Sequence, residues 1–346
     1  MDRAHSISGS EPGLQFDLEK TVDLIRGSGA KRIGLQAPEG LKRALPSLAR
    51  QIEEATGAEV IISGDQCYGA CDLDMALCKD VDLMLHLGHA ELGEASETAG
   101  NMGNAGDAGK VIYIEARMPH DLRGVVEDAV PLLKSKRVCI TTTVQHIHKL
   151  NQALEVLKQH GIKVIIGKTS GRVKYPGQVL GCCYNAARSE NADEYLFIGT
   201  GKFHPLGIAM ATGKRVVTAD PVTGEVSEID PNPMLRRRFA SITRAMDAKR
   251  FAVLVSKKPG QKRMELASRI KKMGEEKGKE MILVYLDNIE PDKLLNLGIE
   301  AAVSTACPRV ALDDASRYKI PILTPPEFEI LAGNRCWEEY AFDEIE

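Results

Sequence analysis

The chain has 346 residues, and at roughly 100–200 residues per domain that length predicts two or three domains. Lys and Arg total 45 against 48 Asp and Glu, a net charge of −3 that speaks against direct binding of nucleic acid, which calls for a basic excess. Hydrophobic residues make up 43% and aromatics only 5%, so the cores are aliphatic and suit buried parallel strands better than an aromatic-rich β-sandwich.

Residues 1–13 are polar, without the apolar run of a signal peptide, and no stretch approaches the roughly 20 apolar residues of a membrane span. A cytoplasmic protein with reduced thiols is expected, which leaves its eight cysteines as core side chains, metal ligands or reactive groups. Short β-branched runs then alternate with amphipathic stretches, the pattern of βαβ units. Strands are predicted at 32–37, 58–64, 81–87 and 111–115, with a helix at 41–56 that aligns Leu41, Leu45, Leu48, Ala49 and Ile52. The segment 93–109, rich in Gly, Ala and Asn, reads as a surface loop.

The same order recurs twice. Strands at 137–142, 163–166, 194–198 and 215–219 accompany a helix at 147–160, and strands at 251–255, 281–286, 301–304 and 321–323 accompany a helix at 261–277. The first strands start at 32, 137 and 251, offsets of 105 and 114, and the three helices end at Thr56-Gly57, His160-Gly161 and Lys277-Gly278. This predicts an α/β protein of three similar βαβ-rich domains, 15–118, 119–230 and 231–346, with parallel sheets around a pseudo-threefold axis. Between the last two, 231–250 carries Arg236, Arg237, Arg238 and Arg244 and reads as a helix with a solvated basic face, or one that docks an acidic partner.

Cys139 lies inside a predicted strand and reads as core. Cys67, Cys71 and Cys78 are spaced C-x3-C-x6-C, which matches neither ferredoxin run, nor the C-x3-C-x2-C of common radical enzymes, nor a paired C-x2-C zinc site. Position in the repeat says more. Cys71 and Cys182 follow the second strand of their domains and Cys307 the third, each at the sheet edge where open α/β folds bind ligands. Three thiolates suit a 4Fe-4S cluster with one open iron, whereas zinc calls for a fourth protein ligand or a water. Gln36, Pro38, Gly199 and Gly201 also follow strands, as ordinary turns or as backbone contacts to a carboxylate or ribose, and His204 sits at a strand exit. His86, His89, His146 and His148 show no metal-site spacing and read as structural or surface groups.

The strings GLQAPEG (34–40), YGAC (68–71), GQVLGC (177–182), FIGTG (197–201), FHPLG (203–207), CPR (307–309) and PILTPPEF (321–328) resemble the archaeal diphthamide synthase subunit, in order from about residue 17 to 333. The resemblance implies a 2-(3-amino-3-carboxypropyl)histidine synthase of the radical S-adenosylmethionine type, acting in the first step of diphthamide synthesis. Such an enzyme transfers the 3-amino-3-carboxypropyl group of S-adenosylmethionine to a histidine imidazole carbon of translation elongation factor 2. Reductive Cγ–S cleavage at a 4Fe-4S cluster releases 5′-methylthioadenosine. By the same resemblance the cluster ligands are Cys71, Cys182 and Cys307, with Cys182 selected because it follows the Gly of the motif and Cys183 as the departure from the pattern. Gln36, Pro38, Gly199, Gly201 and His204 are then expected at S-adenosylmethionine, the chain as a homodimer, and an unnamed electron donor as a partner. The alternatives are a quinolinate-synthase-like 4Fe-4S dehydratase and a non-catalytic iron–sulfur protein.

Overall fold

The computed structural model describes residues 5–6, 15–93, 110–169, 171–188 and 192–345, so residues 94–109 of the expected surface loop lie outside it. The first unit contains α1 (Leu18–Ser28), β1 (Arg32–Gln36), α2 (Leu45–Thr56), β2 (Glu59–Ile62), β3 (Leu83–Leu87) and β4 (Lys110–Ile114). The second contains α3 (Arg123–Ala129), β5 (Arg137–Thr142), α4 (Leu150–Gln159), β6 (Lys163–Ile166), β7 (Glu194–Ile198), α5 (Phe203–Thr212), β8 (Val216–Ala219) and β9 (Val226–Glu228). The third contains α6 (Asn232–Ala245), β10 (Arg250–Ser256), α7 (Met264–Glu276), β11 (Glu280–Leu286), β12 (Ala301–Ser304), β13 (Ile322–Leu323) and α8 (Pro325–Leu331).

The three sheets share one plan. Their orders are β2-β1-β3-β4, β6-β5-β7-β8-β9 and β11-β10-β12-β13, all parallel except for the antiparallel edge strand β9. Register repeats as well: Ile33 pairs with Val60 and Leu83, Val138 with Val164 and Glu194, and Phe251 with Met281 and Ala301. Small chemical devices recur with it. Asp82, Glu194 and Glu300, at the foot of the third strand of each sheet, accept backbone N–H groups just before or at the first strand: from Lys31 and Arg32, from Ser135, and from Lys249 and Arg250. Gly57, Gly161 and Gly278 end the helix after the first strand at φ +72°, +68° and +73°, a left-handed stop that favours glycine. The central strands are buried on both faces and pack aliphatic cores against the flanking helices.

Every expected strand is present, four of the twelve with the expected bounds and the rest with ends moved by one or two residues, and the helices start later than their periodicity predicts. Pro46 in the first turn fixes the start of α2 at Leu45, and residues 39–44 form a 3-10 segment instead. The helix expected from 147 begins as α at Leu150, and the one expected from 261 begins at Met264. Helices α1, α3, α5 and α8 and strand β9 went unforeseen; α5 is apolar around most of its circumference and contains Pro205 and Gly207, so it shows no amphipathic period.

The basic helix α6 corrects the expectation of a uniformly solvated face. Arg238 is 1% exposed and fully used: Nε and Nη2 donate to both Glu327 carboxylate oxygens at 2.8 and 2.6 Å, and Nη1 and Nη2 to the carbonyls of Ala311 and Ile322. Glu327 also closes the N-terminus of α8 by accepting the Thr324 N–H. Removing one partner leaves the other charged and buried, so Glu327→Ala is expected to lower unfolding free energy by about 3–5 kcal/mol. The pair replacement Arg238→Met with Glu327→Leu is expected to cost much less. Urea unfolding reads both, and a single variant within about 1 kcal/mol of wild type contradicts the account.

Candidate metal centre

The loop from β2 to β3 carries Cys71, the loop from β6 to β7 carries Cys182, and the loop leaving β12 carries Cys307. All three leave the C-terminal ends of strands, the ligand-binding edge of an open parallel sheet. The structure brings the three side chains onto the wall of one cavity of about 270 Å³, shared with Tyr68, His89, Arg172 and His204. A second chamber of about 170 Å³ lies beside it, and Tyr68, Cys71, Cys307 and Arg309 border both.

Each loop is fixed by its own sequence. Backbone hydrogen bonds in both directions between Leu180 and Cys183 make a tight turn with Gly181 and Cys182 at its tip. A Cβ on Gly181 would meet the Phe203 ring at 2.5 Å, which explains the glycine of that motif. Residues 177–179 run beside the end of β5, tied to Thr142 through its N–H and C=O. On the Cys71 loop, Gln36 at the end of β1 donates to the Asp72 carbonyl and accepts from the Asp74 N–H.

The units also grip one another here. Gln261 Nε2 donates to Cys71 Sγ at 3.3 Å, and the adjacent Gly260 packs so close that a Cβ would stand 2.5 Å from Cys71 Cβ. Lys258 and Asp72 form a buried ion pair at 2.8 Å. Arg172 Nη2 donates to the Gly260 carbonyl at 2.7 Å. Near the C-terminus, the Ile345 N–H donates to the Cys182 carbonyl, Glu344 accepts the Tyr184 N–H, and Arg263 pairs with Asp343 at 2.6 Å.

Burial pushes all three thiols up, Cys307 to about 12, while the Gln261 hydrogen bond and then Arg172 pull Cys71 the other way. The donor set is soft, with no carboxylate among the ligand-type side chains on the cavity wall, and suits iron–sulfur or zinc chemistry rather than magnesium or calcium. An orphaned cation adds to the fit. Arg172 is 1% exposed, and its Nε and Nη1 have no hydrogen-bond partner among the described residues, as expected beside an anionic group.

Of the other residues singled out in the sequence, His204 lines the cavity, stacked on Phe197, and burial lowers its imidazole to about 4. Gln36, Pro38, Gly199 and Gly201 do not line it; Gln36 instead braces the Cys71 loop, and Pro38 packs on Gly88. Cys183 is off the wall, next to Cys182. Cys139 lies in the core of the second unit. Arg172, Gln261 and Lys258 went unnoticed because they occupy irregular segments without a motif, and only the folded chain shows what they face.

A second convergence was also invisible in the sequence: ligand atoms of Cys67, His86 and His89 lie within 4.8 Å of one another. Gln36 Oε1, already oriented by two backbone groups, accepts from His86 Nδ1 at 3.2 Å, so His86 Nε2 accepts from His89 Nδ1 at 2.9 Å. These hydrogen bonds satisfy the pair without an ion.

The family model described as "Putative diphthamide synthesis protein" matches residues 37–341. The chain belongs to this family. The 2-(3-amino-3-carboxypropyl)histidine synthase of Pyrococcus horikoshii is 42% identical over 325 residues, covering 93% of this chain and 91% of that protein. The protein of the same name from Methanocaldococcus jannaschii is 30% identical, covering 91% and 87%. The crystal structure of Dph2 from Pyrococcus horikoshii with a 4Fe-4S cluster superimposes with a TM-score of 0.86 at 40% identity, covering 95% of this chain and 94% of that one. In this diphthamide-family chain, no helix among the described residues is long and apolar enough to cross a membrane.

Burial lowers His86 from 6.5 to about 3 and His146 to about 4, so both are neutral in the fold. The unfolded chain binds these protons near pH 6.5 and the native chain does not, so their neutral burial costs nothing above that pH. Stability is lost as pH falls from 6.5 toward 4, by on the order of 3 kcal/mol per fully buried histidine. Urea unfolding of the metal-free protein from pH 7.5 to 4.5 is expected to show this decline, with a shallower slope in His146→Gln. An identical slope in that variant contradicts the assignment.

Proposed function

We propose that the chain is a 2-(3-amino-3-carboxypropyl)histidine synthase acting on translation elongation factor 2. It transfers the 3-amino-3-carboxypropyl group of S-adenosylmethionine to a histidine imidazole carbon and releases 5′-methylthioadenosine. The observation that carries this reading is the meeting of Cys71, Cys182 and Cys307 on one cavity in a chain of the diphthamide synthesis family. Three thiolates at one point hold three irons of a 4Fe-4S cluster and leave the fourth open, where a zinc site calls for a fourth ligand. When bound and reduced by an external donor, the cluster supplies the electron that cleaves the Cγ–S bond of the sulfonium.

The chain's own contribution is placement and exclusion of water. Cys71, Cys182 and Cys307 would hold the cluster, and the three loops that carry them would orient the S-adenosylmethionine sulfonium against it. Cys71 and Cys307 border both chambers, which gives S-adenosylmethionine and the target histidine separate approaches to the same centre. His204, neutral and stacked on Phe197, is the side chain assigned to hydrogen-bond S-adenosylmethionine. Reduced thiols and an oxidation-sensitive cluster fit a cytoplasmic setting.

A homodimer is part of the reading. Among the described residues strand β11 is a sheet edge seven residues long, with Ile282, Leu283 and Tyr285 exposed along it and Leu295 and Leu297 exposed in the segment that follows. A second copy covering that surface removes the aggregation risk of a bare apolar edge.

Anaerobically reconstituted protein, incubated with S-adenosylmethionine, reductant and elongation factor 2, is expected to yield 5′-methylthioadenosine without 5′-deoxyadenosine and a modified elongation factor. Cys71→Ala, Cys182→Ala and Cys307→Ala are each expected to lose iron and activity, and Cys139→Ala neither. Full activity in any one of the first three refutes that ligand. Leu283→Glu is expected to shift the species seen in sedimentation from dimer to monomer, and an unchanged dimer argues against that interface.

A further inference from the structure

Arg172 stands apart from the other buried cations. Arg238 is paired with Glu327, Lys258 with Asp72 and Arg263 with Asp343. The Arg172 guanidinium is as buried as that of Arg238, yet only Nη2 has a partner, the Gly260 carbonyl. Nε and Nη1 are without one among the described residues. Arginine stays protonated at any working pH, so this is a full positive charge away from water with no counter-charge of its own. A charge so placed is strongly unfavourable unless an anion meets it.

The surroundings say where that anion belongs. Arg172 lines the cavity with Cys71, Cys182 and Cys307, and the Gly260 that holds its Nη2 packs directly on Cys71. Asp72, the neighbouring carboxylate on the Cys71 loop, is already paired with Lys258.

We propose that Arg172 is the built-in counter-cation of the three-cysteine centre, balancing the negative charge of the thiolate-bound group and raising its reduction potential. This rests on the metal-centre reading above and adds to it a positioning and tuning residue supplied by the second unit. A fixed cation beside the centre favours the more negative, reduced state, and the bare N–H groups would be available to its sulfur. Gln261, donating to Cys71 Sγ, acts in the same direction.

The test is a redox titration of the reconstituted full-length protein without S-adenosylmethionine, followed by electron paramagnetic resonance. Compared with wild type, Arg172→Met is expected to hold at least about tenfold less reduced centre at a fixed solution potential, about 59 mV for one electron. Arg172→Lys, which keeps the charge, is expected to recover part of the difference. As a second readout, cluster-free Arg172→Met is expected to melt no lower than cluster-free wild type, and to gain less on reconstitution. Normal iron uptake with an unchanged potential in Arg172→Met overturns this proposal alone. So does an unchanged potential with weakened S-adenosylmethionine binding, which would make the ligand carboxylate the counter-charge. Wild-type protein that takes up no iron overturns the metal-centre reading and this proposal together.

Discussion

Three thiols on loops of three separate sheets make one site only while the sheets hold their relative positions, since a metal centre tolerates displacements of only about half an ångström. The contacts that enforce this are an apolar seam, where Leu312 and Phe342 of the third unit join Val179 and Tyr184 of the second, and a set of buried polar ties. Lys258 reaches from the end of β10 to Asp72 beside Cys71, Gln261 donates to Cys71 itself, and Arg172 crosses from the Cys182 loop to Gly260. Residues 343–345 tie the remaining side, through Arg263 to the third unit and through the Cys182 carbonyl to the second. Each element is braced internally by its own aliphatic core, so these ties need only set the position of bodies that are already rigid.

Buried ions are an expensive way to join domains, and replacing them by apolar residues often does not reduce stability. What they add is direction. An ion pair such as Lys258–Asp72 is satisfied at one geometry, whereas an aliphatic contact tolerates sliding. Around a ligand set divided among three loops, that selectivity matters more than the net free energy. Arg172 takes the principle one step further, because its satisfaction depends on the group that fills the cavity. On that proposal, filling the site and fixing the units are coupled.

The repeat was legible because parallel strands buried on both faces read as apolar β-branched runs, and because glycines at 57, 161 and 278 end equivalent helices. The places of Cys71, Cys182 and Cys307 within that repeat were legible for the same reason. Helix starts were not, since Pro46 and the 3-10 segments alter geometry without changing hydrophobic period. Arg238 shows the limit of reading charge as exposure: nothing near it in sequence reveals that Glu327, 89 residues away, will meet it in the interior. The same limit hid Arg172, and it hid the His86–His89 pair, whose partner Gln36 lies 50 residues earlier. Gln36 was singled out as a possible ligand contact, and its bracing of the Cys71 loop was not legible, because a polar side chain at a strand end is equally suited to hold a ligand or a neighbouring backbone.

The central claim is that one metal centre joins the three units through Cys71, Cys182 and Cys307. Anomalous scattering at the iron edge, from crystals of the anaerobically purified full-length chain, tests it most directly. The account predicts a single compact iron peak within bonding reach of those three sulfurs and none elsewhere. No iron in the cavity, or iron at Cys67, His86 and His89 instead, would contradict it.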